Sequence, residues 1–226
     1  MLKHRVPLFR GRTRMPSRDT LLSKLRRHAG RSAVFGTLLS IAFSAAAEEV
    51  DFATAENGPA PAAFDTRMRT GGGRPGRWEV VSDNTAKGSK ALAQLEADPT
   101  DYRFPLAIYL PAMIADLEAT TRFKPVSGKV DQAGGLAVRL ADSNNYYLTR
   151  ANALEDNVSF YRVVKGRRQE LASANVKVSA GEWHTLTLRA EGNRFTVSFD
   201  GKQLLSHADS TFTGPEKSRC GRRPTV

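Results

Sequence analysis

Cysteine and histidine are scarce in this chain of 226 residues. Cys220 is the only cysteine, so the chain forms no intramolecular disulfide and offers no metal site built from clustered cysteines. Of the four histidines, only His184 and His207 lie in the central part of the chain, and their spacing is not that of a zinc motif. The stability of the fold must therefore come from a hydrophobic core.

The sequence also lacks an apolar run with the length and composition of a membrane span. Residues 33–47 form a shorter apolar stretch that follows several arginines and ends in Ala45-Ala46-Ala47. This order predicts a signal peptide over residues 1–47, cleavage after Ala47, and an exported protein, periplasmic or extracellular, with no stable membrane span. An amphipathic N-terminal helix is the alternative, but the polar and apolar residues are separated into blocks.

The body of the chain has no excess of positive charge, although the formal net charge is +11. Residues 1–47 hold ten basic residues and one acidic residue, and residues 216–226 hold four and one. Residues 48–215 hold 20 basic and 21 acidic residues. Because the basic residues are concentrated at the two ends, the composition argues against a nucleic-acid-binding domain.

Recognisable catalytic motifs are missing as well. There is no serine nucleophile elbow, phosphate-binding loop or dinucleotide fingerprint, and Gly71-Gly72-Gly73 follows no predicted strand.

We interpret residues 48–76, which are rich in proline and glycine, as an irregular linker. His184 alternates in phase with Leu186, so we expect it to pack inward rather than act as a base.

Apolar residues with a period of two dominate the rest of the chain. Such alternation predicts strands that bury one face and expose the other, and the short turns Lys165-Gly166, Glu191-Gly192-Asn193 and Asp200-Gly201 are typical of hairpins. We therefore predict an antiparallel β-sandwich over residues 77–215. The residues predicted to face the core are Leu136, Val138, Leu140, Tyr146, Leu148, Val158, Phe160, Val164, Leu186, Leu188, Phe195, Val197 and Phe199.

Several segments of this region resemble a known superfamily. Residues 116–125, Gly134-Gly135-Leu136-Ala137-Val138-Arg139 and Asn144-Asn145-Tyr146-Tyr147 resemble, in their order, the concanavalin A-like lectin/glucanase (laminin-G-like) jelly rolls. Residues 150–157 and Gly181-Glu182-Trp183-His184 are similar to secreted bacterial 3-keto-disaccharide hydrolase-like domains, many of unknown function. The resemblance implies a jelly-roll fold, but the superfamily hosts enzymes, lectins and interaction modules.

The C-terminal residues 216–226 depart from this resemblance. They show no strand pattern, whereas the family continues with a strand that closes a sheet. One back-translation of this tail, read in another frame, encodes a strand-like run, Lys-Val-Ala-Leu-Trp. We hypothesise that a frameshift replaced the native end and removed the last strand; the alternative is a natural disordered basic tail.

The predicted outward face of the sheet carries polar and aromatic residues. If Val138 points into the core, Arg139 points outward, and the alternation places Asn145 and Tyr147 on that same face together with Asn157 and Tyr161. We interpret residues 150–157 as a loop at the sheet rim, with Arg150 as a donor and Glu155 as an acceptor. Aromatic, amide and guanidinium groups are the ones that bind sugars. The predicted ligand-binding residues are Arg139, Asn145, Tyr147, Arg150, Asn152, Glu155, Asn157 and Tyr161; an ordinary solvated sheet face is the alternative.

No cofactor is predicted from the residues. Two groups of turn residues, Asp142-Ser143-Asn144 and Glu155-Asp156-Asn157, carry oxygens of the kind that bind calcium, but neither matches an EF-hand loop. Acidic groups in turns are usually solvated caps, so calcium stays an alternative rather than the prediction.

The sequence therefore predicts an exported protein that binds a carbohydrate or glycoconjugate on the concave sheet. A sugar-acting hydrolase is the alternative that the resemblance allows, although the Glu-x-Asp-x-x-Glu signature of the laminarinase-like enzymes is absent and Glu155 and Asp156 would face opposite ways on a strand. A non-catalytic protein-interaction module is a third possibility. No residue is assigned a catalytic role.

Overall fold

The structure is a computed structural model that describes residues 47–111 and 114–214. The predicted signal peptide, except Ala47, and the predicted tail with Cys220 lie outside the described residues. Within the described part of the chain, no helix has the length and apolar character needed to cross a bilayer. The helical structure there is one 3₁₀ turn, Lys87–Ser89.

The described residues form fifteen strands. In chain order they are β1 (Gly58–Pro59), β2 (Phe64–Asp65), β3 (Arg69–Thr70), β4 (Trp78–Ser82), β5 (Lys90–Gln94), β6 (Phe104–Pro105), β7 (Ile108–Tyr109), β8 (Leu117–Phe123), β9 (Ala133–Asp142), β10 (Asn145–Asn152), β11 (Asn157–Val164), β12 (Arg167–Asn175), β13 (His184–Glu191), β14 (Arg194–Phe199) and β15 (Lys202–Ala208).

Two antiparallel four-stranded sheets form the sandwich. The first has the order β12-β11-β10-β9 and the second the order β15-β14-β13-β8. The first sheet is a continuous meander, whereas the second joins the meander β13–β15 to β8, which precedes the first sheet in the chain. The all-β architecture that the alternation predicted is therefore confirmed.

The hydrophobic core lies between the inner faces of these two sheets. Its buried members are Val138, Tyr147, Ala151, Val158, Phe160, Val178, Leu186, Leu188, Ala190, Phe195, Val197, Phe199 and Leu205. Full burial of one side chain of this size contributes about 1.5–3 kcal/mol to folding, so the cluster is the main stabilising element in a protein without a disulfide. His184 packs inward, as predicted, with its ring 5.0 Å from that of Phe199.

The segment predicted as an irregular linker forms short strands that pair with later parts of the chain. Strand β1 pairs with β4, β2 with β7, and β3 with β6, while β4 also pairs with β5. Thr70 of β3 is fully buried, and its hydroxyl lies 2.6 Å from the hydroxyl of Tyr146. Residues near Thr70 therefore pack against the first sheet on the side away from the core.

The predicted orientation of Arg139 is wrong because β9 contains a bulge. Arg139 has a φ of +51°, and the five residues of β9 from Val138 to Asp142 pair with only three residues of β10, from Asn145 to Tyr147. The strict alternation that would point Arg139 outward is lost there, and the side chain is fully buried.

The predicted orientation of Tyr147 is also wrong. The sequence pattern placed Tyr146 in the core and Tyr147 outside, whereas Tyr147 belongs to the core cluster and Tyr146 faces the other side, against Thr70. Both tyrosines are fully buried because both faces of β10 are covered at this position. Alternation identifies the two faces of a strand, but it does not distinguish between them when each is buried.

Candidate functional site

The outer face of the first sheet brings together five of the predicted site residues. Arg150 pairs with Ser159, Asn152 with Asn157, and Leu148 with Tyr161 across β10 and β11. Directly opposed residues of an antiparallel pair share a face, and Ala151 and Val158, which alternate with these residues, point into the core. The side opposite the core therefore carries Arg150, Asn152, Asn157 and Tyr161. With Glu155, and with Asp131 and Arg168 from neighbouring segments, they form what we call the Arg150 cluster.

Residues 150–157 are less of a loop than the sequence suggested. Strand β10 continues to Asn152 and β11 begins at Asn157, so the turn itself spans residues 153–156. Within the turn, Asp156 adopts a φ of +50°, and its carboxylate accepts hydrogen bonds from Val178 N at 3.1 Å and Lys177 Nζ at 3.0 Å. Arg150 and Asn152 are thereby fixed on a strand, whereas Glu155 sits on a tight turn above them.

Arg150 is held between two carboxylates. Its Nη1 donates to Asp131 Oδ2 at 3.1 Å and its Nη2 to Glu155 Oε2 at 2.6 Å. Asn157 Nδ2 donates to the same Glu155 oxygen at 3.0 Å. The side chain of Arg150 is 10% exposed, compared with 38% for Asp131 and 49% for Glu155. The cation is therefore below the surface and Glu155 faces solvent, whereas Asp131 is only partly exposed and its Oδ1 is buried.

Tyr161 supports the cluster from within the sheet. The guanidinium carbon of Arg150 lies 5.7 Å from the centroid of the Tyr161 ring, and that of Arg168 lies 4.6 Å from it. Arg168 also lies 4.4 Å from the ring of Phe104, which belongs to β6. Because Tyr161 is buried, it positions the two arginines rather than offering an open aromatic platform.

The cluster holds more hydrogen-bonding capacity than it uses. Five of its buried polar atoms have no hydrogen-bond partner among residues 47–111 and 114–214. They are Asp131 Oδ1, Arg150 Nε, Asn152 Nδ2, Asn157 Oδ1 and Arg168 Nη1. Because buried polar groups are nearly always paired in folded proteins, such a concentration on one sheet face indicates a place for water or a polar ligand.

Burial also changes the protonation of Asp131. Desolvation raises the pKa of this carboxyl above its ordinary value, and the nearby Glu155 adds to the effect, while Arg150 opposes it. Asp131 therefore takes up a proton more readily than a solvated aspartate does.

Three predicted site residues lie elsewhere and have structural roles. Arg139 donates to the carbonyl oxygens of Ala115, Gly192 and Phe212 and to Asp116 Oδ1. It therefore belongs to the interior at one end of the sandwich.

Tyr147 and Asn145 are likewise remote from a ligand surface. The Tyr147 ring lies 4.4 Å from that of Phe195, and its hydroxyl donates to Asp209 Oδ1. Asn145 donates to both carboxylate oxygens of Asp142 at 2.9 Å and accepts from Lys165 N at 3.0 Å, which joins two hairpin ends.

Sequence analysis missed two members of the cluster, Asp131 and Arg168. Asp131 lies in the segment before β9, where no periodic pattern draws attention to it, and Arg168 stands near the start of β12 beside another arginine. Both reach the cluster through tertiary packing. One signal was available for Arg168. The predicted hairpin turn at Lys165-Gly166 places it opposite Val163, on the strand next to the one that carries Asn157 and Tyr161.

The outer face of the second sheet is a different kind of surface. It contains a shallow, open depression of about 380 Å³, lined by Glu118, Thr187, Arg189, Glu191, Thr196, Ser198 and Gln203. Arg189 and Glu191 form an exposed salt bridge there, at 3.1 Å. Its ion pair consists of an arginine and a glutamate, as the pair Arg150–Glu155 does, but here both side chains are exposed.

The calcium alternative gains no support from the geometry. No group of three or more His, Cys, Asp or Glu side chains in the described ranges is placed to hold a metal ion. The carboxylate of Asp142 accepts hydrogen bonds from Asn144 N and from the side-chain amide of Asn145. The carboxylate of Asp156 accepts hydrogen bonds from Val178 N and Lys177 Nζ.

Comparison with known proteins bears on the fold. No protein-family model matches the chain, and no curated protein matches it. A solved structure that does match is the carbohydrate-binding module CBM66 from Bacillus subtilis, with a TM-score of 0.50 and 23% sequence identity over 67% of this chain and 82% of that one. At this level of identity the match shows a shared β-sandwich fold. The narrower resemblance to 3-keto-disaccharide hydrolase-like domains stays a prediction.

Proposed function

We propose that this protein binds a carbohydrate or glycoconjugate at the Arg150 cluster, on the outer face of the first sheet. The observation that carries the proposal is a buried arginine that holds two carboxylates, the exposed Glu155 and the partly buried Asp131, surrounded by buried polar atoms without partners. A fold that only needed stability would gain more from apolar residues at these positions, since partly satisfied buried polar groups cost free energy.

The chemistry of the cluster fits a polyhydroxylated ligand. Each carboxylate accepts hydrogen bonds from hydroxyl groups, the arginine donates them, and the side-chain amides of Asn152 and Asn157 both donate and accept. Adjacent hydroxyls of a sugar ring present donors and acceptors a few ångströms apart, and a fixed carboxylate beside a fixed guanidinium complements that spacing. Tyr161 contributes by holding Arg150 and Arg168 in place.

The structural neighbour supports the same class of ligand. That neighbour is a carbohydrate-binding module, and it shares the β-sandwich fold of this chain. We propose export to the periplasm or the cell exterior on the basis of the apolar stretch at residues 33–47. N-terminal sequencing of the protein purified from a periplasmic fraction should begin at Glu48; a protein that keeps residues 1–47 would contradict export by cleavage after Ala47.

A hydrolase acting on sugars is a second candidate, because two carboxylates flank Arg150 and one of them has a raised pKa. Asp131 would be the proton donor in such a reaction and Glu155 the second carboxylate. Turnover of glycosides or 3-keto-disaccharides that Asp131→Asn abolishes, with glycan binding retained, would favour this candidate over a binding protein.

The primary test is glycan binding by the intact chain. A glycan array should identify ligands, and calorimetry on the best of them should show a loss of affinity of about tenfold or more in Glu155→Gln. This variant removes an exposed charge and keeps the side-chain volume, so we expect it to fold normally. Glu191→Gln, an equivalent change in the exposed salt bridge of the second sheet, is the matched control and should bind like the unmodified protein.

Two results would count against the proposal. Absence of glycan binding above background would leave the protein-interaction module as the better description. Equal affinity in Glu155→Gln and the unmodified protein, with the affinity lost in Glu191→Gln, would move the site to the second sheet.

A further inference from the structure

The Arg150 cluster presents charges of opposite sign at different depths. Arg150, Arg168, Asp131 and Glu155 sum to zero formal charge, but the Glu155 carboxylate is exposed, whereas the Arg150 side chain is nearly covered and Oδ1 of Asp131 is buried. Both terminal nitrogens of Arg150 already donate to carboxylates. A ligand that approaches from solvent therefore meets negative charge and hydrogen-bond acceptors first.

Two exposed aliphatic side chains accompany these carboxylates. Val130 directly precedes Asp131, Leu154 directly precedes Glu155, and both are exposed. The segments that carry them are joined by a hydrogen bond from Ala153 N to Gln132 O at 2.8 Å. The rim thus combines acceptor oxygens with apolar surface, and the apolar part is aliphatic rather than aromatic.

From this arrangement we infer that the site selects neutral sugars and rejects sugars that carry a carboxylate. The hydroxyls of a neutral ring donate to the exposed carboxylate of Glu155, and its C–H groups contact Val130 and Leu154. A uronate would bring a further carboxylate close to the exposed carboxylate of Glu155. Arg150, which could compensate this charge, is occupied and buried, and the guanidinium of Arg168 is covered by the rings of Phe104 and Tyr161. This inference rests on the proposed function, because it concerns the ligand class of the same site.

The test uses pairs of ligands that differ only at the carboxylate. Methyl glucoside, galactoside and mannoside are compared with the corresponding methyl uronides by calorimetry or by ligand-observed NMR at pH 7 and low salt. For the stereochemical series that binds, we expect the neutral glycoside to bind about tenfold more tightly than its uronide. Raising the salt concentration should narrow this difference, because screening weakens the repulsion.

Three variants separate the contribution of charge repulsion from the contribution of apolar contact. Glu155→Gln removes one exposed charge and should reduce the preference for the neutral glycoside severalfold, whatever its effect on absolute affinity. Leu154→Ala should weaken binding of the neutral glycoside without changing the ratio between the two ligands. Leu110→Ala changes an exposed leucine outside the sandwich strands and should leave both affinities unchanged.

The outcomes distinguish this inference from the proposed function. Uronides that bind as tightly as neutral glycosides, with both affinities reduced in Glu155→Gln, would overturn the selectivity and leave carbohydrate binding at the Arg150 cluster intact. Failure of every glycoside and uronide to bind would overturn the proposed function and the selectivity with it.

Discussion

The guanidinium carbon of Arg139 lies 4.9 Å from the centroid of the Phe195 ring, inside the sandwich rather than on its surface. From there the side chain donates to the backbone carbonyl oxygens of Ala115, Gly192 and Phe212, which belong to three separate segments. One buried cation thus joins the entry to β8, the β13–β14 turn and the segment after β15.

Replacement of Arg139 should be among the most destabilising single changes. Arg139→Met keeps an unbranched side chain but leaves three carbonyls without their donor, and we expect a loss of about 3 kcal/mol in the free energy of unfolding. Urea denaturation followed by tryptophan fluorescence measures it. Arg189→Met, at an exposed arginine, should change the stability by about 0.5 kcal/mol or less.

Tyr147 provides a direct test of which face of β10 is the core. Tyr147→Ala should cost about 3–5 kcal/mol, because it removes a large buried ring packed against Phe160 and Phe195. Tyr147→Phe should cost about 1–2 kcal/mol, because only the hydroxyl bonds to Asp209 and to Phe212 N are lost. A Tyr147→Ala protein as stable as the original would place this residue on the surface and contradict the described packing.

Two neighbouring glycines should respond differently to alanine. Gly71 has a φ of +81°, and a Cβ there would lie 1.8 Å from the carbonyl oxygen of Tyr102, so Gly71→Ala should destabilise the protein by more than about 1 kcal/mol. Gly72 lacks both constraints, since its nearest neighbour would be Thr100 Cγ2 at 3.6 Å. Gly72→Ala should be close to neutral in thermal unfolding. Equal effects at the two positions would mean that this segment is as loose as the sequence suggested.

The carboxylate of Asp83 should make stability depend on acid pH. Its hydrogen bonds with Lys124 and Thr85 lower its pKa to about 2, below the ordinary value of 3.8. A lowered pKa in the folded state stabilises the fold above pH 4, and this contribution is lost as the pH falls from about 4 to about 2. Asp83→Asn should be less stable at neutral pH and should lose less stability over that interval. Parallel curves for the two proteins in pH-dependent denaturation would show that Asp83 contributes nothing.

Tyr161 should affect ligand binding through its ring and not through its hydroxyl. Tyr161→Phe keeps the surface over which Arg150 and Arg168 lie, so glycan affinity should change by less than about threefold. Tyr161→Leu removes that surface and should weaken binding by about tenfold; because Tyr161 is buried, this variant should also be less stable, so binding is measured well below its unfolding temperature. If the phenylalanine variant bound as poorly as the leucine variant, the hydroxyl would be the functional group.

The sequence predicted the sandwich because alternation along a strand is a local property. Leu186, Leu188, Phe195 and Val197 lie where the period of two placed them. The error at Arg139 arises from a bulge, which depends on the partner strand, and the error at Tyr147 arises because Thr70, far away in the sequence, covers the opposite face. Neither influence is visible in the residues of the strand itself.

The candidate site was predicted in part for the same reason. Arg150, Asn152, Glu155 and Asn157 belong to one hairpin, so their proximity follows from sequence order. Asp131 and Arg168 join them only through tertiary packing, and the depth difference between the arginine and its carboxylates is set by that packing. The sequence pattern was therefore enough to locate the hairpin. The arrangement of charges around it could be described only from the three-dimensional structure.

The continuous meander of the first sheet has a practical consequence for protein engineering. Strands β9–β12 form one uninterrupted stretch of sequence, residues 133–175, and every member of the Arg150 cluster except Asp131 falls within it. A single randomised gene cassette can thus vary nearly the whole Arg150 cluster at once, while β8, β13, β14 and β15 supply an unaltered scaffold from outside the cassette.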